Sequence, residues 1–256
     1  MKEFYEDINI LIIGDSCTDV FVYGFVYRIA PEGPVPVFNP SHSSENGGMA
    51  LNVKRNIEKI GAKAKLITQN EEIFKTRYVD HRTNNLLLRV DTNDHTTRIN
   101  AEIIDNIIDN VFDNKKYDAI IISDYCKGFL TEEDILKISK NNKNIFLDTK
   151  KLLGPWCSYC DFIKINHTEY ERTKHTIDPL HIQDKLIITK SEDGCEYKNI
   201  VYPVEKVNIR DVSGAGDTFI SGLVCEYVRT FDIVKSIKFA QKCATIVVQK
   251  KGVCTI

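Results

Sequence analysis

The chain has 256 residues, 43% of them hydrophobic and 27% charged, with 34 Lys and Arg against 36 Asp and Glu and a formal net charge of −2. Length and composition suit one globular domain large enough to bury its own core, and they exclude a disordered chain. The balanced charge gives no support to a nucleic-acid binder or an anionic-membrane binder.

Met1 to Asp7 is acidic, and the apolar run from Ile8 to Ile13 is too short for a signal peptide or a membrane span. The eight cysteines are irregularly spaced. Both features point to a reducing cytoplasm and free thiols. The first run reads as a strand ending at Gly14-Asp15. The stretch from Val20 to Asn46 contains Tyr23 to Tyr27 and then Pro31, Pro34 and Pro36. The prolines exclude a helix and favour edge strands. Gly47-Gly48 precedes a helix carrying Ala50, Val53, Ile57 and Ile60, with Gly61 as its stop. A second β-rich excursion, Thr76 to Arg98, contains Leu86 to Val90. The two excursions are expected to pair as a small flap.

Beyond the flap the pattern becomes regular. Ala119 to Ile122 leads into Ser123-Asp124, and Thr131 to Asp134 caps a helix with Ile135, Leu136 and Ile138. Ile145 to Leu147 leads into Asp148, Phe162 to Ile165 into Asn166, and Leu186 to Ile188 into Thr189. Short Ile-rich runs of this kind are strands buried on both faces. Ile220 to Val228 and Ile233 to Val248 carry helical periodicity. Strands alternating with helices predict a mainly parallel sheet covered on both faces. Asp15, Asp124, Asp148, Asn166 and Thr189 then share the carboxyl ends of the strands, where such sheets bind ligands. Cys157 and Cys160 form one Cys-x-x-Cys, but no second ligand pair accompanies it, so they read as two unrelated thiols.

Asp211 to Thr218 directly precedes the best amphipathic helix. Small residues at 213–216 let the backbone turn tightly, and the unpaired N–H groups of a helix start form an anion site. An Asp in such a site repels the anion unless it has a task. The task that fits is taking a proton from an attacking hydroxyl while the N–H groups hold a phosphoryl group. A plain Gly-rich turn with Asp217 as a first-turn acid is the other reading. No P-loop, no G-x-G-x-x-G after the first strand, no H-E-x-x-H and no G-x-S-x-G occurs, which weakens a nicotinamide oxidoreductase.

Together these segments resemble the ribokinase-like (PfkB) carbohydrate kinases. Asp211 to Gly222, D-V-S-G-A-G-D-T-F-I-S-G, fits that family's C-terminal signature, and Gly47 to Asn52 resembles its N-terminal glycine signature. Within the family the likeness is greatest to the heptose-7-phosphate kinases of lipopolysaccharide-core precursor synthesis. It rests on Gly14-Asp15 with Asp19, Arg28 to Val37, Lys75-Thr76-Arg77, Leu87 to Asp91, Ser123 to Gly128 and Asp148-Thr149-Lys150.

The resemblance implies an α/β three-layer sandwich, with a mainly parallel central sheet and a β lid from residues near 20–45 and 75–98, in a single kinase domain spanning 1–256. It implies ATP and Mg2+ as cofactors, and transfer of the γ-phosphoryl group to a sugar or sugar phosphate, with heptose-7-phosphate becoming a 1,7-bisphosphate. It implies Asp217 as the catalytic base, with Gly214, Ala215 and Gly216 in the anion hole. Asp15, Asp19, Gly47, Gly48 and Asn52 would hold sugar hydroxyls. Arg28, Lys127 and Lys150 would lie near a sugar phosphate. Asn166 and Glu169 would organise magnesium and phosphate, with Glu169 nearest the metal. Thr189, Ser191, Gly194 and Gln241 would line the ATP site. A homodimer through the lid is expected, with no nucleic-acid or membrane partner.

The departures are a segment near 69–74 shorter than the family's, Cys126 in place of a Gly, Gln241 in place of an Asn, and no nucleotidyltransferase domain in the chain. Another sugar (ribose, fructose or a fructose phosphate) and a non-catalytic sugar- or nucleotide-binding regulator stand as alternatives.

Overall fold

The computed structural model describes residues 4–110, 117–176 and 182–256. Six parallel strands form most of an eight-stranded sheet: β1 (Asn9–Gly14), β4 (Lys63–Ile67), β7 (Ala119–Asp124), β8 (Ile145–Thr149), β9 (Phe162–Asn166) and β10 (Leu186–Thr189). Two short antiparallel strands, β11 (Cys195–Tyr197) and β12 (Ile200–Tyr202), extend it to the order β12-β11-β10-β9-β8-β7-β1-β4. The five apolar runs singled out in the sequence are the five strands β1, β7, β8, β9 and β10.

Their residues alternate between two buried clusters. Leu11, Ile13, Ile120 and Ile122 face one, with Ile104 and Ile107 of α2 (Ala101–Asn110) and Ile135 and Ile138 of α3 (Glu132–Asn141). Ile10, Ile12, Ala119 and Ile121 face the other, with Val53 and Ile57 of α1 (Ala50–Ile60), Ile220, Leu223 and Val224 of α5 (Ala215–Thr230) and Ile237 of α6 (Ile233–Val248). A strand buried on both sides has no polar face, which is why these runs read as continuous Ile rather than as alternation. Cys157 and Cys160 lie buried in the first cluster as free thiols. Thr131 and Asp134 close a capping box at the start of α3, as the sequence predicts.

Chain order reverses between β1 and β7, the kind of switch point at which a crevice opens. There the backbones nearly touch: a Cβ on Gly14 would fall 1.9 Å from the Ser123 carbonyl oxygen.

A separate four-stranded sheet rises over that end, in the order β3-β2-β5-β6. It comprises β2 (Ser16–Ile29), β3 (Pro36–Met49), β5 (Phe74–Asp80) and β6 (Leu86–Thr92). The two β-rich excursions do pair, through parallel β2 and β5. The strands begin and end elsewhere than expected: β2 starts at Ser16, paired with Met49, and residues 93–98 leave the sheet. That exit is fixed by the core, because the Thr96 N–H donates to the Lys127 carbonyl at 2.8 Å. The short segment after β4 is a clasp. The Gln69 side chain accepts from the Ser16 N–H at 3.1 Å and donates to its carbonyl at 2.7 Å, anchoring the start of β2. No helix among the described residues is long and apolar enough to cross a membrane.

Candidate active site

The loop before α5 is folded by Asp211, whose two carboxylate oxygens accept the Ser213 N–H at 2.8 Å and the Gly252 N–H at 3.0 Å. Gly214 caps α5 in the left-handed region, φ 79°. A Cβ there would fall 2.7 Å from the Asn52 amide nitrogen, and one on Gly216 would fall 2.9 Å from Lys164 Nζ. The small residues thus bring Asn52 to one side of the helix start and Lys164 to the other. The Ala215 N–H is spent on the Val212 carbonyl at 3.2 Å, so the outward donors of this turn are Gly216 and Asp217. That narrows the anion hole expected at 214–216.

Asp217 lies in the first turn of α5 and is only 3% exposed. Its Oδ2 accepts from Asn52 Nδ2 at 2.9 Å and its Oδ1 from the Tyr125 hydroxyl at 2.5 Å. Burial pushes its pKa up to about 6; the hydrogen bonds from Tyr125 and Asn52 pull it down, and Asp148 adds a smaller upward push. The group is therefore an anion at neutral pH but a far better proton acceptor than an ordinary aspartate.

Beside it opens a cavity of about 390 Å³, lined by Asn166, Thr189, Ser191, Gly194, Gly214 to Asp217 and Gln241, with Lys150 and Lys164. Its far wall is apolar, from Val207, Ile209, Ala244 and Val248. One end suits a flat ring and the other an anion. Asn166 caps α4 (His167–Thr173) in a reciprocal box with Glu169: the Glu169 N–H donates to Asn166 Oδ1 and the Asn166 N–H to Glu169 Oε2, each at 2.8 Å. Glu169 Oε1 holds Lys150 Nζ at 2.5 Å. Gln241 donates to the Tyr202 carbonyl at 2.5 Å.

The residues expected around the sugar are arranged differently. Asp19 and Gly48 do meet: a Cβ on Gly48 would fall 2.0 Å from an Asp19 oxygen, and Asp19 pairs with Arg77. Asn52 is committed to Asp217. The Asp15 carboxylate accepts the N–H groups of Tyr125 at 2.7 Å, Lys127 at 3.3 Å and Phe129 at 3.4 Å. It shapes the loop after β7. Gly47 lines a different cavity, about 670 Å³, with Arg55, Lys59 and Lys250. Arg28 stands exposed near the far end of β2, about 30 Å along the strand from Asp19 at 3.3 Å per residue. The expectation that it reaches the crevice is corrected by that strand length. Lys127 pairs with Asp94 and Lys150 with Glu169, so neither is a bare cation.

Two site residues were missed, Tyr125 and Lys164. Tyr125 follows Asp124 directly and reaches Asp217. Lys164 interrupts the Ile run of β9 and pairs, fully buried, with its register partner Asp148 at 2.7 Å. Asp148 Oδ1 has no hydrogen-bond partner. A lysine inside an otherwise apolar central strand is a signal in itself, since such a charge must be paired. No cluster of three His, Cys, Asp or Glu able to hold a metal occurs among the described residues.

A profile of the pfkB family of carbohydrate kinases matches residues 75–256. The chain is 27% identical over 300 residues to the bifunctional protein HldE of Hydrogenovibrio crunogenus, covering 98% of this chain and 62% of that protein. It is 28% identical over 293 residues to HldE of Helicobacter pylori, covering 95% and 63%. The chain thus spans under two thirds of the length of these relatives. Among solved structures, the Methanocaldococcus jannaschii nucleoside kinase, an archaeal member of the ribokinase family, superposes with TM-score 0.69 at 17% identity, covering 97% of this chain and 94% of that one. Escherichia coli phosphofructokinase-2 superposes with TM-score 0.70 at 12% identity, covering 97% and 95%. At such identities the likeness establishes the fold, which is ribokinase-like.

Proposed function

The chain belongs to the pfkB family of carbohydrate kinases, and from that premise we propose that it moves the γ-phosphoryl group of ATP onto a hydroxyl of a phosphorylated sugar. Heptose-7-phosphate, giving a 1,7-bisphosphate, is the acceptor that the sequence resemblance favours. The observation that carries the proposal is Asp217, a buried carboxylate raised to about 6 that lines the cavity at the start of α5.

In this mechanism the acceptor hydroxyl takes the place of the Tyr125 phenol on Asp217 Oδ1 and gives up its proton there. Its oxygen bonds to the γ-phosphorus as the bond to the bridging oxygen breaks, and ADP leaves with that electron pair. The Gly216 and Asp217 N–H groups and the Lys164 ammonium take the negative charge of the moving group. Asn52 holds Asp217 in place. Thr189, Ser191, Gly194 and Gln241 surround the nucleotide. The donors fit a magnesium ion, which Glu169 and Asp148 would help to hold, Asp148 with an oxygen that has no hydrogen-bond partner. When bound, that ion neutralises the phosphate charge.

The whole chain acts as one kinase unit, and the exposed Leu86, Leu88 and Val90 on β6 fit a lid-to-lid homodimer. A coupled assay of ADP release over heptose-7-phosphate, fructose-6-phosphate, ribose and fructose tests the proposal. ADP release that depends on a phosphorylated sugar supports it. Nucleotide binding without turnover of any acceptor would favour a regulator instead.

A further inference from the structure

Five cations gather between the lid and the core, and four have a carboxylate of their own. Arg77 pairs with Asp19, Arg89 with Asp91, Lys127 with Asp94 and Lys150 with Glu169. The fifth, Lys75, makes no ion pair and donates no hydrogen bond among the described residues, although only 7% of it is exposed.

Strand register makes this unexpected. Lys75 of β5 lies opposite Asp19 of β2 and opposite Asp91 of β6, so a carboxylate flanks it on each side. Both have turned to arginines. Asp19 takes the Arg77 guanidinium, and Asp91 is gripped by Arg89 through two bonds of 2.7 Å. A planar guanidinium holds a carboxylate at two points, which an ammonium cannot do. The Lys75 ammonium lies instead over the Tyr125 ring, 5.4 Å from its centre. Burial holds its pKa below the ordinary lysine range, and the Lys127 and Arg89 charges push the same way, against Cys17 and Asp19. A buried ammonium without a counter-ion is costly, and an arriving anion removes that cost.

The same tyrosine ring reaches Asp217 through its hydroxyl at 2.5 Å. One aromatic ring thus joins the unpaired cation to the proposed base. A sugar lying beside that ring can place a hydroxyl at Asp217 and an anionic group at Lys75.

We propose that Lys75 binds the phosphomonoester of the acceptor and so selects phosphorylated sugars over neutral ones; this rests on Asp217 acting as the base beside the acceptor. The assignment moves the phosphate contact away from Arg28, Lys127 and Lys150.

The test is steady-state kinetics of Lys75→Met and Lys75→Arg with two acceptor pairs, heptose-7-phosphate against heptose and fructose-6-phosphate against fructose. Loss of a charge-assisted contact should raise KM for the phosphorylated acceptor about tenfold or more in Lys75→Met. Saturating kcat, KM for ATP and turnover of the neutral sugar should hold within about twofold, because the contact is to a part of the acceptor that does not react. Lys75→Arg should recover most of the preference. Removing an unpaired charge does not threaten folding, and Lys75→Gln is the second neutral variant. Inorganic phosphate alone gives a reading independent of turnover: it should raise the melting temperature of the wild type more than that of Lys75→Met, the remainder coming from the anion site at the start of α5.

A Lys75→Met enzyme that keeps the wild-type preference, or gains as much stability from phosphate as the wild type, overturns the role of Lys75. A wild type without sugar-dependent ADP release on any acceptor overturns the underlying kinase reading instead. A wild type that turns over neutral and phosphorylated sugars equally overturns the selection.

Discussion

In the eight-stranded sheet, Ile10, Ile12, Ile13 and Ile120 to Ile122 are wholly buried, and the strands deliver their last residues to one crevice. In the four-stranded sheet, every residue of β6 is exposed, and its polar contacts are side-chain pairs such as Arg89–Asp91 and Arg77–Asp19. The first sheet positions groups by burial and backbone register, which leave few alternatives. The second positions them by side-chain ion pairs, some buried like Arg77–Asp19 and some near water like Arg89–Asp91, and the exposed ones exchange partners at little cost. The nucleotide half of the site belongs to the first kind and the acceptor half to the second, so substitutions should act very differently in the two.

The largest effect is expected at the centre. Asp217→Asn keeps the size of the side chain but cannot take a proton, and kcat should fall about 10²–10⁴-fold. The variant should nevertheless be more stable above pH 6. A buried carboxyl raised from 3.8 to about 6 contributes stability that is complete below pH 3.8 and lost as pH rises through about 6. Asn removes that loss, a gain of at most about 3 kcal/mol. Melting curves at pH 4 and pH 8 measure it, and a lower melting temperature at pH 8 would contradict the assignment.

Next in size is Lys164→Met, which strands Asp148 in the core. Breaking a buried pair in this way costs about 3–5 kcal/mol. The denaturation midpoint should fall sharply and largely recover when Asp148→Leu is added. No recovery would mean that the pair is not the source of the loss.

A smaller effect is the pH profile of the wild type. Activity should fall about tenfold per pH unit below about 6, where Asp217 becomes protonated, and stay flat above it until other groups titrate. A profile unchanged down to pH 4.5 would remove Asp217 as the base.

Smallest of all should be Lys127→Ala, on the lid side. Its ion pair with Asp94 is partly exposed, and such pairs are worth under about 1 kcal/mol. KM for any acceptor should change less than about threefold. A tenfold rise would show that the lid pairs are as fixed as those of the core.

The same contrast explains what the sequence discloses. The Ile-rich runs, the Thr131 cap and the glycines before Asp217 carry local signals, and they led to five strands, α3, α5 and the centre of the site. Lys164 was overlooked because its neighbours Ile163 and Ile165 made the segment read as uniformly apolar. The helix α2 was also missed. In the lid, residue types were legible but partners were not: Asp19 and Lys75 are opposite in register yet far apart in the chain, and the choice of Arg77 over Lys75 appears only once β2 and β5 pair. The loop-folding bonds of Asp15 were hidden for a related reason. A carboxylate that folds a distant loop and one that holds a ligand look alike in one dimension.

The paired strands β2 and β3 run from Ser16–Met49 beside the crevice to Ile29–Pro36 at the far end, fourteen residues each. That ribbon is about 40 Å long, and its base turns into α1 at Met49, which holds a positive φ of 57°. Asp19 stands about 10 Å from that base, so any rotation of the ribbon about it would carry the tip roughly four times as far as Asp19. A ten-degree swing moves the tip by about 7 Å. A displacement too small to see at Asp19 would then be measurable at Val35 with a pair of distance labels.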